Sequence, residues 1–280
     1  MPEPVWEAVT ARPAGPLRAV VAEHHGYRQR DVAPARHLGL PSPYLTVIVT
    51  LDEPLHVARQ PDPAQAPDTY RALVGGLHTS TAVIEHDGAQ SGVQLQLSPL
   101  GTRALLGLPA GELAGLDVPA TDLLGGFADE LHERLRGAST WPERFRLLDQ
   151  GLGRLVDPAR RPPVEVCHAW HLLRASRGTA RVADVARAVG WSERHLATRF
   201  RTEIGVTPKA AARVIRFDRA RRMIPRCGGA VVAATCGYAD QSHLVRDFVE
   251  FTGLAPGAWL AAEVGNLQAP DVAAGRDWAS

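Results

Sequence analysis

Cysteine, lysine and long apolar runs are all scarce in this 280-residue chain. The three cysteines, Cys167, Cys227 and Cys236, are odd in number and confined to the second half. That excludes a disulfide framework and leaves reduced structural thiols as the expectation. The longest strand-type apolar stretch, Tyr44 to Leu51, falls far short of the roughly 20 residues a membrane helix needs, so no membrane partner is expected. The first 25 residues hold Glu3, Glu7, Glu23 and prolines at 2, 4, 13 and 16, without the basic start and apolar core of a secretory signal. A cytoplasmic location follows as an expectation. Lysine occurs once, at Lys209, so almost every positive charge is an arginine.

What is present is an ordinary globular composition, 45% hydrophobic and 22% charged, in a length that suits two domains each with its own core. The net charge of +1 hides an asymmetry. Up to Asp157 there are 13 basic and 19 acidic residues, a net of −6, and from Pro158 onward 18 and 11, a net of +7. Between Arg160 and Arg226 the count is 16 against 5, a density that suits a polyanionic partner. A solvated basic surface in an arginine-biased composition is the bland alternative.

The charge changes sign at Asp157-Pro158-Ala159-Arg160-Arg161-Pro162-Pro163, where paired prolines end the preceding helix. Residues 158–163 are therefore expected to link a β-rich domain, 1–157, to a helical domain, 164–262, with a flexible tail at 263–280. Upstream, strand-like runs occur at Leu17 to Ala22, Tyr44 to Leu51, Thr81 to Glu85 and the alternating Val93-Gln94-Leu95-Gln96-Leu97. Ser98-Pro99 has the form of a cap and first turn for a helix through Ala104-Leu105-Leu106, followed by a loop around Pro109 to Pro119. Two amphipathic helices follow, one with Phe127, Leu131 and Leu135, the other opening at Pro142 with Phe145, Leu148, Leu152 and Leu155. That last series fits either a dimer seam between two copies of the chain or packing against the domain's own sheet. The fold class expected is α+β: an N-terminal β-rich barrel or sandwich, cupin-like in one reading, ahead of an all-α domain.

In the second half one unit appears twice. Val185 to Phe200, then Gly205-Val206-Thr207-Pro208, is echoed by Val232 to Phe248, then Gly253-Leu254-Ala255-Pro256. The offset is 47 up to the turn glycine and 48 after it, an insertion that only a loop absorbs without rotating a helix. Each unit has the parts of a helix-turn-helix: a short apolar helix, a turn glycine (Gly190, Gly237), an aromatic plug (Trp191, Tyr238) and a capping residue (Ser192, Asp240). Leu196 with Phe200, and Leu244 with Phe248, lie four apart and face inward. This leaves Arg194, Thr198 and Arg201, with Ala197 beside them, on the outer face of the first reader, and Gln241, Ser242, Val245 and Arg246 on that of the second. Such side chains read base edges in a major groove, arginine on guanine and glutamine on adenine. Phosphate contacts are expected from Ser192, Lys209, Arg213, Arg216 and His243.

Gly-Trp-Ser-Glu-Arg-His-Leu at 190–196, Arg-Phe at 199–200, Gly-Val-Thr-Pro-Lys at 205–209, Arg-Phe at 216–217 and Cys-Gly-Tyr-Ala-Asp-Gln-Ser-His-Leu at 236–244 closely resemble the paired-motif domain of the AraC/XylS family of bacterial transcription regulators. The resemblance covers residues 164–262. It implies seven helices, among them a leading one near Val164 to Ser176 carrying Trp170, those of two helix-turn-helix units, and a long connecting helix from Pro208 to about Ile224 that sets both readers into successive major grooves of duplex DNA. By motif match the base-facing positions are Arg194, Ala197 and Thr198, and Ser242, Val245 and Arg246. The second unit departs from the pattern at its start, where Gly229 and Val231 replace Val182 and Asp184, so its opening helix lacks an apolar anchor. The first 157 residues resemble, more loosely, regions ahead of this domain in actinobacterial regulators, through Tyr44-Leu45-Thr46, Gly92-Val93-Gln94-Leu95, Leu105-Leu106-Gly107-Leu108-Pro109 and Trp141-Pro142-Glu143-Arg144-Phe145. That likeness implies a small-molecule effector or a homodimer, with RNA polymerase as a further partner of a regulator.

Other chemistry finds less support. His24-His25, His78, Glu85 and His86 lack the clustered His-x-His and Glu of a cupin metal site, and Cys167, His168 and His171 lack a second ligand pair, so no metal is expected. Gly75-Gly76 and Gly125-Gly126 do not follow a phosphate-loop pattern, and no cofactor is expected. No serine or cysteine nucleophile comes with an identifiable base, so the chain is not expected to be an enzyme. Alkyl-transfer repair regulators that share the DNA-binding domain need an upstream cysteine cluster, and no cysteine precedes Cys167. A cupin-like enzyme or ligand-binding protein with a basic helical tail is the alternative function.

Overall fold

The computed structural model describes residues 5–263. The first half contributes β1 (Val5–Ala11), β2 (Val21–Arg30), β3 (Ala35–Gly39), β4 (Leu45–Thr50), β5 (Leu55–Arg59), β6 (Asp68–Tyr70), β7 (Ala72–Gly75), β8 (Ala82–His86), β9 (Gln90–Leu97), helix α1 (Thr102–Leu106), β10 (Asp117–Pro119), and helices α2 (Ala120–Leu124), α3 (Gly126–Gly137) and α4 (Trp141–Gly153). The second half is helical: α5 (Val164–Ala175), α6 (Val182–Ala188), α7 (Glu193–Ile204), α8 (Pro208–Met223), α9 (Gly229–Cys236), α10 (Gln241–Thr252) and α11 (Pro256–Glu263). These are the seven helices the resemblance implied. None of the described helices is long and apolar enough to cross a membrane.

The strands form two antiparallel sheets, ordered β1-β2-β9-β4-β7-β10 and β3-β8-β5-β6. Because side chains alternate along a strand, the larger sheet has two inner faces. One carries Val47, Val49, Val93, Leu95 and Leu97 against Leu131, Leu135, Phe145 and Leu148 of α3 and α4. The other carries Ile48 and Leu73 against Leu55, Val57 and Ile84 of the smaller sheet. The first half is thus a three-layer body, sheet on sheet on helices.

Several sequence expectations shift. Leu17 to Ala22 is not one strand: Gly15, at φ +57, and Pro16 open a 3-10 turn over Gly15–Ala19, and β2 starts only at Val21. Ser98 does not cap α1 with its hydroxyl; its carbonyl accepts from Gly101 N–H, and Gly101 is the N-cap. The loop around Pro109 to Pro119 contains a 3-10 turn, Ala110–Leu113, and β10. Phe145, Leu148 and Leu152 are buried and Leu155 half-buried in the core of their own chain, so the heptad-like series faces its own sheet and turns no free seam to a second copy.

Residues 154–163 hold no helix or strand, in keeping with a connection, but the halves are not loosely tethered. One continuous buried cluster runs from Leu17 through Leu152 into Val166, Trp170, Leu196 and Phe200 of the first helix-turn-helix unit. The expected tail lies outside the described residues except for Glu263, which closes α11 and is buried.

Candidate functional site

The two repeated units fold alike, and the likeness is local chemistry. Gly190 and Gly237 adopt φ +73 and +75, a conformation that side chains with a Cβ rarely take. The next residues reach back: Trp191 N–H donates to Ala186 O at 2.9 Å and Tyr238 N–H to Ala233 O at 3.0 Å, closing the preceding helices. Ser192 Oγ accepts from His195 N–H, and Asp240 Oδ1 from His243 N–H, starting the readers α7 and α10. The plug ring meets a histidine edge-on in each unit, Trp191 with His195 at 4.6 Å and Tyr238 with His243 at 5.2 Å. Leu196, Phe200, Leu244 and Phe248 are fully buried, as their spacing requires. The start of the second unit is better anchored than its glycines suggested. Val232, equivalent to Val185, is buried, whereas Val182, whose counterpart is missing, is only half-buried in the first unit.

On the outer faces, Arg194, Thr198 and Arg201 of α7 are exposed and Ala197 is half-buried; on α10, Gln241, Ser242 and Arg246 are exposed and Val245 is half-buried. Thr198 Oγ1 donates to Arg194 O at 3.1 Å, leaving its methyl group and a lone pair as the surface it offers. The residues expected on phosphates fare unevenly. Lys209 is exposed, and no acid among the described residues pairs with it. Arg213 is instead committed inside the protein: it donates to Asp247 at 2.9 Å and to Glu250, tying α8 to α10, and lies 4.9 Å over the Phe251 ring. Those acids hold its charge more firmly than in water, and the Glu250 carboxyl is lowered by the same pairing. Arg216 donates to Gly178 O at 2.7 Å and lies over Tyr238, so it too serves the core. Ser192 spends its hydroxyl on the cap, and His243 Nδ1 accepts from Ala239 N–H.

The first half grips both units. Arg103 of α1 makes a two-pronged contact, at 2.7 and 2.9 Å, with Glu203, a nearly buried acid on α7. Gly111 lies so close to the last turn of α7 that a Cβ there would come within 2.1 Å of Thr202 O. The second unit is held through the edge strand β3, whose Leu38 N–H donates to Glu263 Oε1 at 2.9 Å while Leu38 and Leu40 pack on the α10 core.

Between the sheets lies a cavity of about 110 Å3 that the sequence did not disclose. Ile48, Val57, Leu73 and Ile84 give it apolar walls, and Arg221 and Arg222 of α8 close one side. A polar row crosses its floor, because the register sets Gln96 opposite Thr46, Thr46 opposite Gly75, and Gly75 opposite Asp117. Gln94 stands one step along on the same face. The alternation at Val93 to Leu97 was a signal of this face, but it reads equally as a strand with its glutamines in water. Arg221 and Arg222 both donate to Asp218. Burial opposes the Asp218 charge, but the two guanidiniums outweigh it and hold that carboxyl below its usual range. The histidines and acid weighed as metal ligands are dispersed: His24 bonds Asp149, Glu85 pairs with Arg36, and His78 bonds Ser80 O.

These features define a protein with a two-headed helix-turn-helix body docked on a β-sandwich that contains a cavity. Residues 185–262 match the family model described as a helix-turn-helix domain. Over 119 residues the chain is 28% identical to the HTH-type transcriptional regulator Rv1931c of Mycobacterium tuberculosis (strain ATCC 25618 / H37Rv), a match spanning 42% of this chain and about half, 46%, of that relative. In fold it is similar to an apo variant of ToxT from Vibrio cholerae strain SCE256, with TM-score 0.54 and 11% identity over 90% of this chain and 99% of that one. It is similar also to ToxT of Vibrio cholerae O395 bound to (E)-4-(8-methylnaphthalen-1-yl)but-3-enoic acid, with TM-score 0.50 and 12% identity over 85% and 98%. The chain thus carries a helix-turn-helix domain over residues 185–262.

Proposed function

We propose that this chain is a sequence-specific duplex-DNA-binding regulator of transcription by RNA polymerase, rather than an enzyme, and that a small effector held between its sheets controls it. The observation that carries the DNA reading is the duplication itself. Two units repeat the same glycine, plug, cap and Leu–Phe pair, and each turns a polar face outward. Arg194, Ala197, Thr198 and Arg201 would read bases in one groove, and Gln241, Ser242, Val245 and Arg246 in the next. Lys209 would bind phosphate, with the α7 and α10 N-termini adding their backbone dipoles. One chain has two readers, so it can occupy two grooves without a second copy.

The effector reading is supported by the cavity's position. A molecule there would touch both sheets and, through Arg221 and Arg222, the long helix that joins the two readers. The ToxT structure with a bound small acid shows that a protein of this fold accepts a small molecule.

The test uses the full chain. Duplexes selected from a random library should bind on the order of 10³-fold or more tightly than scrambled duplex, with affinity falling steeply as salt rises. Equal affinity for scrambled duplex would overturn the DNA reading. The effector reading fails separately if no small molecule of any charge, at saturating concentration, changes affinity for the selected duplex.

A further inference from the structure

Among the groups lining the cavity, Asp117 stands out for what it lacks. Its residue is 7% exposed, and its backbone is fully engaged: its N–H donates to Gln65 Oε1, and its carbonyl accepts from Gln65 and Tyr70. Its carboxylate oxygens have no partner among the described residues. The carboxyl projects over Gly75, so close that a Cβ there would lie 2.6 Å from Oδ1. Gly75 therefore leaves the room that the acid occupies. A second acceptor on the same cavity, Gln94 Oε1, is buried without a partner among the described residues.

The remaining charged or titratable groups around the cavity do not fill that need. Arg221 and Arg222 share Asp218, and burial holds the His78 imidazole below its ordinary pKa, so it stands neutral at physiological pH. Tyr70, whose hydroxyl accepts from Gln60, is pushed up by burial and stays protonated. An unpaired, buried carboxylate is costly unless it takes up a proton or something supplies a counter-charge and N–H donors.

From this geometry we propose that the effector is a small organic cation, an ammonium group on a compact apolar body, whose N–H groups donate to Asp117 while the body lies against Ile48, Leu73 and Ile84. The proposal rests on the effector reading above and specifies its ligand class. A cavity of about 110 Å3 favours a ligand below drug size. Burial alone pushes the empty-site Asp117 carboxyl up to about 7. Binding of a cation draws it to the ionised form, so a proton is released as the amine enters, and affinity rises with pH through the neutral range.

The experiment compares three probes of nearly one shape, benzylamine, benzyl alcohol and benzoate, by calorimetry on the full chain. Benzylamine should bind at least tenfold more tightly than the alcohol at pH 8. Its affinity should fall about tenfold between pH 8 and pH 6, and its heat at pH 6.5 should change with the ionisation enthalpy of the buffer. Asp117→Asn should erase the amine's advantage while leaving the alcohol's binding in place, which also shows that the variant is folded. An alcohol or benzoate that binds as well as the amine, an amine advantage that survives Asp117→Asn, or an absence of binding by all three would overturn the cation. Benzoate binding that shifts affinity for the selected duplex would overturn the cation and leave effector control standing.

Discussion

At the scale of single residues, identity alone misjudged the charged groups, because a charge is defined by what faces it. Asp117 lies in the short run Leu116-Asp117-Val118, where a solvated edge residue is the ordinary reading. The fold instead buries it on the cavity between the two sheets, and burial raises its carboxyl to about 7. The sign for stability follows from linkage. The folded state keeps a proton that the unfolded chain gives up near pH 4, so this group's stabilising contribution is whole below pH 4 and lost as pH rises towards 7. Asp117→Asn should therefore stabilise the protein at pH 8 by on the order of 2–4 kcal/mol in urea unfolding, with the gain vanishing near pH 4. A destabilised variant at pH 8 would show that the carboxylate is paired in solution.

At the scale of elements, the cations of α8 divide by what faces them along one side of the helix. Three and four residues along a helix bring side chains to one side, so Lys209, Arg213 and Arg216 share a face; Arg213 and Arg216 meet α10 and the α5–α6 turn, whereas Lys209, in the first turn, is exposed. Arg213 bridges Asp247, 7% exposed, and Glu250, which is largely exposed, so most of its worth lies in the Asp247 contact. Arg213→Ala should cost about 2–3 kcal/mol of stability by stranding that buried acid, and should leave the salt dependence of duplex binding unchanged. Lys209→Ala should leave stability within about 0.5 kcal/mol and lower the slope of log affinity against log salt by about 1. Parallel denaturant and salt titrations of the two variants check both outcomes. A lowered slope in the Arg213 variant would return that residue to the phosphate backbone.

At the scale of the whole molecule, the striped helix α7 shows how the halves are joined. Leu196, Phe200 and Glu203 share its inner face at i, i+4 and i+7, an acid where a core side chain would stand. Its partner Arg103 comes from α1, a hundred residues earlier, and completes an interface to which Gly111 and β3 also belong. An acidic half of −6 is thereby kept against a basic half of +7, next to the helix that reads DNA. Arg103→Ala should cost about 2–4 kcal/mol, since it leaves Glu203 buried and unpaired. It should also speed protease cleavage within 154–163 as the first unit loosens from the sandwich. An unchanged cleavage rate would assign the docking to the Gly111 and β3 contacts instead.

The sequence by itself determined the second half almost completely. Turn glycines, caps, plugs and the Leu–Phe spacing act within a dozen residues, and local hydrogen bonds and helix periodicity settle them without reference to the rest of the chain. It also determined the strands that read as apolar or alternating runs, β4, β8 and β9, and the amphipathic helices α3 and α4. Only the tertiary structure decided which face of each strand met water, because alternation fixes that two faces differ but not what covers them. Gln94, Gln96, Thr46 and Asp117 became the floor of a cavity through the pairing of residues up to 50 positions apart, as with Gly75 and Thr46 on one side and Gln96 and Thr46 on the other. The short strands β6 and β10 took their form from the neighbours they bond. Tertiary packing likewise turned Arg213 and Arg216 to partners on neighbouring elements and buried Phe145, Leu148 and Leu152, since burial is a property of the assembled layers and not of the residues that enter them.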